Sequence, residues 1–150
     1  MYKILLALHL LFAIFAVGPL VAAATTSARG VRTGDATATA SAVRMLRVYS
    51  IASVLVVLLG FGLMSVDSPF RKGEKVGEFS ETWIWLSLVL WAAAVAVTLA
   101  VVVPALTKAT QEITAGRSAT AVTARVAAGG GVVGILFAVI VFLMVYRPGA

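Results

Sequence analysis

Few side chains in this sequence could do chemistry inside an apolar medium, and His9 stands out as the sole histidine. An ionisable group within a membrane-spanning stretch is a functional candidate by default. Met64 and Met144 carry thioethers in two other apolar stretches, and both would fall near the same membrane face as His9. One imidazole with two thioethers suits Cu(I) or an axial haem pair. His9, Met64 and Met144 are therefore the candidate cofactor-binding set, with haem or copper as the cofactor. The same imidazole could instead tie two helices by a hydrogen bond or stand in a proton or ligand pathway, and methionine is a routine filler of apolar gaps. Residue types alone leave all three readings open.

Other chemistries lack their residues. There is no cysteine, so no disulfide, thiolate metal site, thiol nucleophile or Cys-x-x-Cys-His haem attachment. The sequence contains no Gly-x-Ser-x-Gly and no His-Glu-x-x-His, nor a phosphate-binding glycine loop before a lysine. Gly129, Gly130 and Gly131 fall inside an apolar run rather than after a strand, which does not make a phosphate cradle. The expectation is a chain that is not an enzyme and has no catalytic residues.

The elements that must position these residues follow from composition. The chain is 61% hydrophobic and 12% charged, with a mean hydropathy of +1.06, whereas soluble domains carry about 25% charged residues. A chain this small has no interior large enough for that much apolar surface, so lipid must take the place of water. A bilayer core about 30 Å thick needs about 20 helical residues. Four runs meet that length, at residues 4–24, 48–66, 83–106 and 126–146, and none contains Asp, Glu, Lys or Arg. The expected fold is all-α: one polytopic domain over residues 1–150, a four-transmembrane-helix bundle. The first run, between Lys3 and Ala22-Ala23-Ala24, could imitate a signal peptide, but it is longer than the usual apolar core of one and reads as a retained span. His9 then lies about 8 Å below the start of the first helix at about 1.5 Å per residue.

Charge sets the orientation. Residues 25–47 and 107–125 hold Arg29, Arg32, Arg44, Arg47, Lys108, Arg117 and Arg125 against only Asp35 and Glu112. The opposite side has Lys3, Arg71, Lys72, Lys75 and Arg147, and its 67–82 loop also carries Asp67, Glu74, Glu78 and Glu81. The positive-inside bias places loops 25–47 and 107–125 in the cytoplasm, with loop 67–82 and both termini outside. Tyr2, Trp83, Trp85 and Tyr146 fall at the outer ends, where aromatic rings seek the headgroups. The net charge of +6 is thus a topology and lipid-headgroup signal, and no nucleic-acid partner is expected.

Two hairpins share a pattern. Each has a proline late in its first helix (Pro19, Pro104), then threonines, then a glycine (Gly34, Gly116) leading an Ala/Thr-rich segment that ends on Arg44 or Arg125. Such a duplication would be a parallel repeat about the membrane normal. Pro19 and Pro104 should kink their helices, and Gly34 and Gly116 should mark the turns. Asp35 is placed to cap the second helix, and the alanine-rich segments should carry helices two and four beyond the bilayer. Small residues four apart let helices approach in lipid. Ala92, Ala96 and Ala100 of the third helix should therefore face Ala138, Gly134 and Gly130 of the fourth as the tightest pair.

His9 with Phe12, Phe15 and Gly18-Pro19, the third span opening Trp83-Ile84-Trp85 and closing Val103-Pro104-Ala105-Leu106, and the terminal Phe142-Leu143-Met144-Val145-Tyr146-Arg147-Pro148 together resemble a bacterial four-helix membrane family known as domain of unknown function 2269. That family is loosely similar to the copper-resistance protein D group, whose first helix also carries a histidine. The resemblance implies a four-helix bundle without an established activity. The functional expectation is a non-catalytic multi-pass protein of the bacterial cytoplasmic membrane, an accessory or assembly subunit of a larger complex such as a respiratory one. Its partners would be the lipid bilayer and other membrane subunits or further copies of itself. The alternatives are a haem- or copper-handling protein using His9 and a small oligomeric transporter.

Overall fold

Four continuous helices, Tyr2–Thr33, Ala36–Met64, Thr82–Thr114 and Thr120–Tyr146, are each long and apolar enough to cross a membrane. The computed structural model describes residues 1–69, 73 and 75–148, and among these every regular element is helical. The chain is a multi-pass integral membrane protein built as a four-helix bundle. In chain order the elements are α1 (Tyr2–Phe12), a π-helical turn (Ala13–Val17), α2 (Gly18–Thr33), α3 (Ala36–Met64), α4 (Thr82–Val97), a second π turn (Thr98–Val102), α5 (Val103–Thr114), a 3₁₀ turn (Thr120–Val122) and α6 (Thr123–Tyr146). Span one comprises α1 and α2, span two α3, span three α4 and α5, and span four the 3₁₀ turn and α6.

Hydropathy underestimates the first and third spans. The apolar runs stop at residues 24 and 106, yet the helices continue to Thr33 and Thr114. At about 1.5 Å per residue the 32 residues of span one reach about 48 Å, well beyond an apolar core of about 30 Å. All four helices thus extend past the bilayer at the end that carries the two hairpin turns, because Ala and Thr segments hold a helix together without being apolar enough to count as a span.

Both prolines sit just after a π turn. Proline has no N–H for the preceding turn and its ring crowds that turn's carbonyl, and one extra residue in the turn relieves both. The N–H of Gly18 bonds the Ala13 carbonyl, and that of Val103 bonds the Thr98 carbonyl, five residues back in each case and immediately before the proline. The distortions at Pro19 and Pro104 lie inside continuous helices rather than at their ends. The hairpin turns also match: Gly34 and Gly116 are left-handed, at φ 65° and 73°. The next N–H, of Asp35 or Arg117, bonds the carbonyl five residues back, Gly30 at 3.0 Å and Glu112 at 2.8 Å. After that the hairpins diverge. Asp35 accepts the Ala38 N–H at 2.9 Å and starts α3 at once, whereas Arg117 has no acceptor to offer, and residues 115–119 precede the 3₁₀ turn.

The helices pack differently at the two ends. At the turn end α2 lies against both α3 and α6, and α5 lies against α3. At the opposite, loop end the main pairings are α1 with α3 and α4 with α6. The buried core is concentrated toward the turn end, with Leu20, Ala24, Ala28, Leu46, Leu106, Ala109 and Val126 among its members, while α1 contains no buried residue. The loop between spans two and three folds back on the bundle. Val76 N–H bonds the Val66 carbonyl at 3.1 Å, Phe79 packs on Phe61, and Gly77 lies against Trp83 and Ile84. Arg71, Lys72 and Glu74 of that loop lie outside the described residues.

Candidate functional site

His9 is half-buried in α1, with its Nδ1 3.0 Å from the Val56 carbonyl of α3. A carbonyl can only accept, so Nδ1 carries a proton and donates it. Gly60, one turn further along α3, faces the ring: a Cβ there would lie 3.4 Å from the imidazole Cε1, an ordinary contact. The pair acts as a tie between α1 and α3. Met64 lies one turn beyond Gly60 on α3 and is half-buried. Met144 is exposed on α6, and α6 packs chiefly on α2 and α4, not on α1. The expected triad is therefore not assembled within one chain: Met64 shares His9's helix pair and Met144 belongs to the other. Among the described residues no three His, Cys, Asp or Glu side chains converge as a metal site would require.

Two polar contacts between helices escape a reading of the sequence. Trp91 of α4 donates its indole N–H to the Ser53 hydroxyl of α3 at 3.0 Å, and that hydroxyl donates to the Ser50 carbonyl. Thr110 of α5 donates to Thr39 of α3 at 2.8 Å, with Thr39 fully buried. The available signal was Ser50 and Ser53, three apart in an apolar run and so on one helix face. Serine in a membrane helix usually bonds its own backbone, however, and nothing in span two names Trp91 as a partner.

The expected tight pair is formed in another phase. Ala92, Ala96, Ala100 and Ala138 are all exposed. Span three instead buries Ala94, Thr98 and Val102, and Val102 packs against Gly129 rather than Gly130. Gly130 turns to span one, where an added Cβ would collide with the Ala24 carbonyl oxygen, and Gly134 faces Thr25. The spacing of four holds, but the residue that faces each neighbour differs. A row of small residues defines a stripe on a helix without saying which neighbour it meets.

Charged groups collect at the two ends. At the loop end the Arg147 guanidinium lies 5.3 Å from the Trp83 ring centre, and the Trp83 indole N–H bonds Glu81. At the turn end Arg117 bonds Glu112; this hydrogen bond holds the Glu112 carboxyl below its ordinary range and raises Arg117. Beside them, Arg47 of α3 and Lys108 of α5 line an open groove along span three. Comparison with protein-family profiles, with curated proteins and with solved structures finds no match to this chain. The resemblance to a four-helix membrane family gains nothing from it, and function rests on geometry.

Proposed function

We propose that the protein is a non-catalytic membrane subunit that works by docking its first span against another membrane protein, as an accessory or assembly component of a larger bacterial membrane complex. One observation carries this reading: α1 crosses its part of the bundle without a single buried residue. Its main helix contact is α3, and Ile4, Leu8, Leu11 and Phe15 remain exposed. The polar groups that could serve chemistry are largely engaged with one another, His9 with Val56, Trp91 with Ser53 and Thr110 with Thr39. Positive charge at the turn end orients that end toward the cytoplasm, which puts the free part of α1 in the outer leaflet.

Photo-crosslinking residues at Leu11 on α1 and at Val141 on α6, introduced into cells and followed by mild extraction, test the reading. The expected result is one discrete protein adduct from Leu11 and lipid adducts alone from Val141, with a fixed stoichiometry in native mass spectrometry. Monomers with only lipid adducts at both positions overturn it.

A further inference from the structure

The groove along span three has a built asymmetry. It occupies about 590 Å³, far more than a bare phosphate fills, and it extends from Leu99 and Val103 at its apolar end to Glu112 at its polar end. Arg47 reaches it from α3 and Lys108 from α5, with Thr107 between the two levels. Pro104 lines the same wall just after the π turn. Neither Arg47 nor Lys108 has an ion pair among the described residues. The one carboxylate in the groove, Glu112, is bonded by Arg117, although Lys108 also feels its charge.

We infer that this groove binds an anionic phospholipid of the leaflet at the turn end, its phosphodiester between Arg47 and Lys108 and an acyl chain along Leu99 and Pro104. Depth supports a lipid rather than a dissolved anion. Arg47 and Lys108 flank the apolar runs that begin at residue 48 and end at residue 106, so both cations stand at headgroup level. The exposed Leu99, at 41% of its surface, lies more than two turns deeper along the same helix. A dissolved phosphate would use the cations and leave the apolar wall uncovered. Basic pockets between membrane helices at the cytoplasmic face are well suited to anionic headgroups, because a positive charge there meets both the surface potential and the phosphate.

The test is thermal unfolding and native mass spectrometry of the purified full chain in neutral detergent, with phosphatidylglycerol, phosphatidylcholine or inorganic phosphate added. Phosphatidylglycerol should raise the unfolding temperature and stay bound in the gas phase, while the other two do neither. Each basic side chain near a bilayer surface is worth about fivefold in binding, so Arg47→Gln with Lys108→Gln should weaken phosphatidylglycerol binding roughly thirtyfold. Arg44→Gln with Arg125→Gln removes equal charge outside the groove and should leave binding within a factor of about three. Leu99→Trp keeps both cations and fills the apolar wall, and should also weaken binding; this holds the inference testable if the double glutamine variant does not fold. Equal loss in both glutamine pairs overturns it in favour of diffuse surface charge. Stabilisation by phosphatidylcholine, or by inorganic phosphate, overturns it in favour of apolar contact alone or of a free anion site.

Discussion

The turn end and the loop end of this bundle are made from the same four helices, yet the turn end is closed and the loop end is open along α1. At the turn end Gly130 meets the Ala24 backbone, Gly30 meets Ala38 and Thr39, and Gly129 meets Val102. At the loop end α1 carries Ile4, Leu8, Leu11 and Phe12 with nothing buried, and the helices hold chiefly as α1 with α3 and α4 with α6. The difference follows from the solvent. In lipid, apolar surface gains little by leaving its surroundings, so helices close only where small side chains let backbones approach. Where large side chains line α1, lipid competes on equal terms and the helix stays exposed.

Gly130→Ala should disturb the molecule most. The added carbon meets a backbone carbonyl that has no rotamer to yield with, so a loss of about 3 kcal/mol or more is expected, read by unfolding in detergent. Ala138→Leu, on the exposed side of the same helix, should stay within about 0.5 kcal/mol. If Gly130→Ala is neutral, the close approach that distinguishes the turn end does not exist. Next come the turns: Gly34→Ala forces a side chain into left-handed backbone, for about 1 to 2 kcal/mol, and Asp35→Ala removes the α3 cap for about 1 kcal/mol. Ser118→Ala removes only the long 3.4 Å bond from the Thr120 N–H in the second turn and should cost less than Asp35→Ala, and equal losses would erase the contrast between the hairpins.

Midway between the two ends a smaller effect is expected. Trp91→Phe removes the bond to Ser53 and should cost about 0.6 kcal/mol, the average for such bonds between membrane helices. A loss as large as that of Gly130→Ala would show that the close approach at the turn end is not what chiefly holds the bundle. The smallest effect belongs to Glu112 and Arg117, exposed at the turn end. Arg117 holds the folded-state Glu112 below its unfolded value, so the pair's stabilisation is present at neutral pH and is lost as pH falls through the folded value. Arg117→Gln should therefore lower the unfolding temperature slightly at pH 7, and the difference from wild type should vanish in acid. A difference that persists in acid assigns Arg117 a role other than this pair.

The local devices are legible in the amino-acid sequence alone. Asp35 caps because a carboxylate beside free N–H groups needs no distant partner, and Gly34 and Gly116 turn because only glycine enters left-handed backbone without penalty. The prolines announce a distortion, although not that it is a π turn. His9 is legible as the histidine inside a span, and its partner is not. Val56 offers a backbone carbonyl, which every residue has. Thr39 with Thr110 and Ser53 with Trp91 are hidden for the same reason: each partner is a common residue whose only distinction is where another helix happens to pass.

By itself the sequence determined that four helices are apolar enough to cross a membrane, where the two glycine turns fall and how the second helix starts, since hydropathy, capping and backbone conformation depend on residues a few positions apart. Only the tertiary structure decided which stripe meets which helix. In lipid that choice rests on backbone approach and a few hydrogen bonds, and both depend on helix phase. One residue along a helix turns its face by about 100°, so the step from Gly130 to Gly129 changes the neighbour from span one to span three.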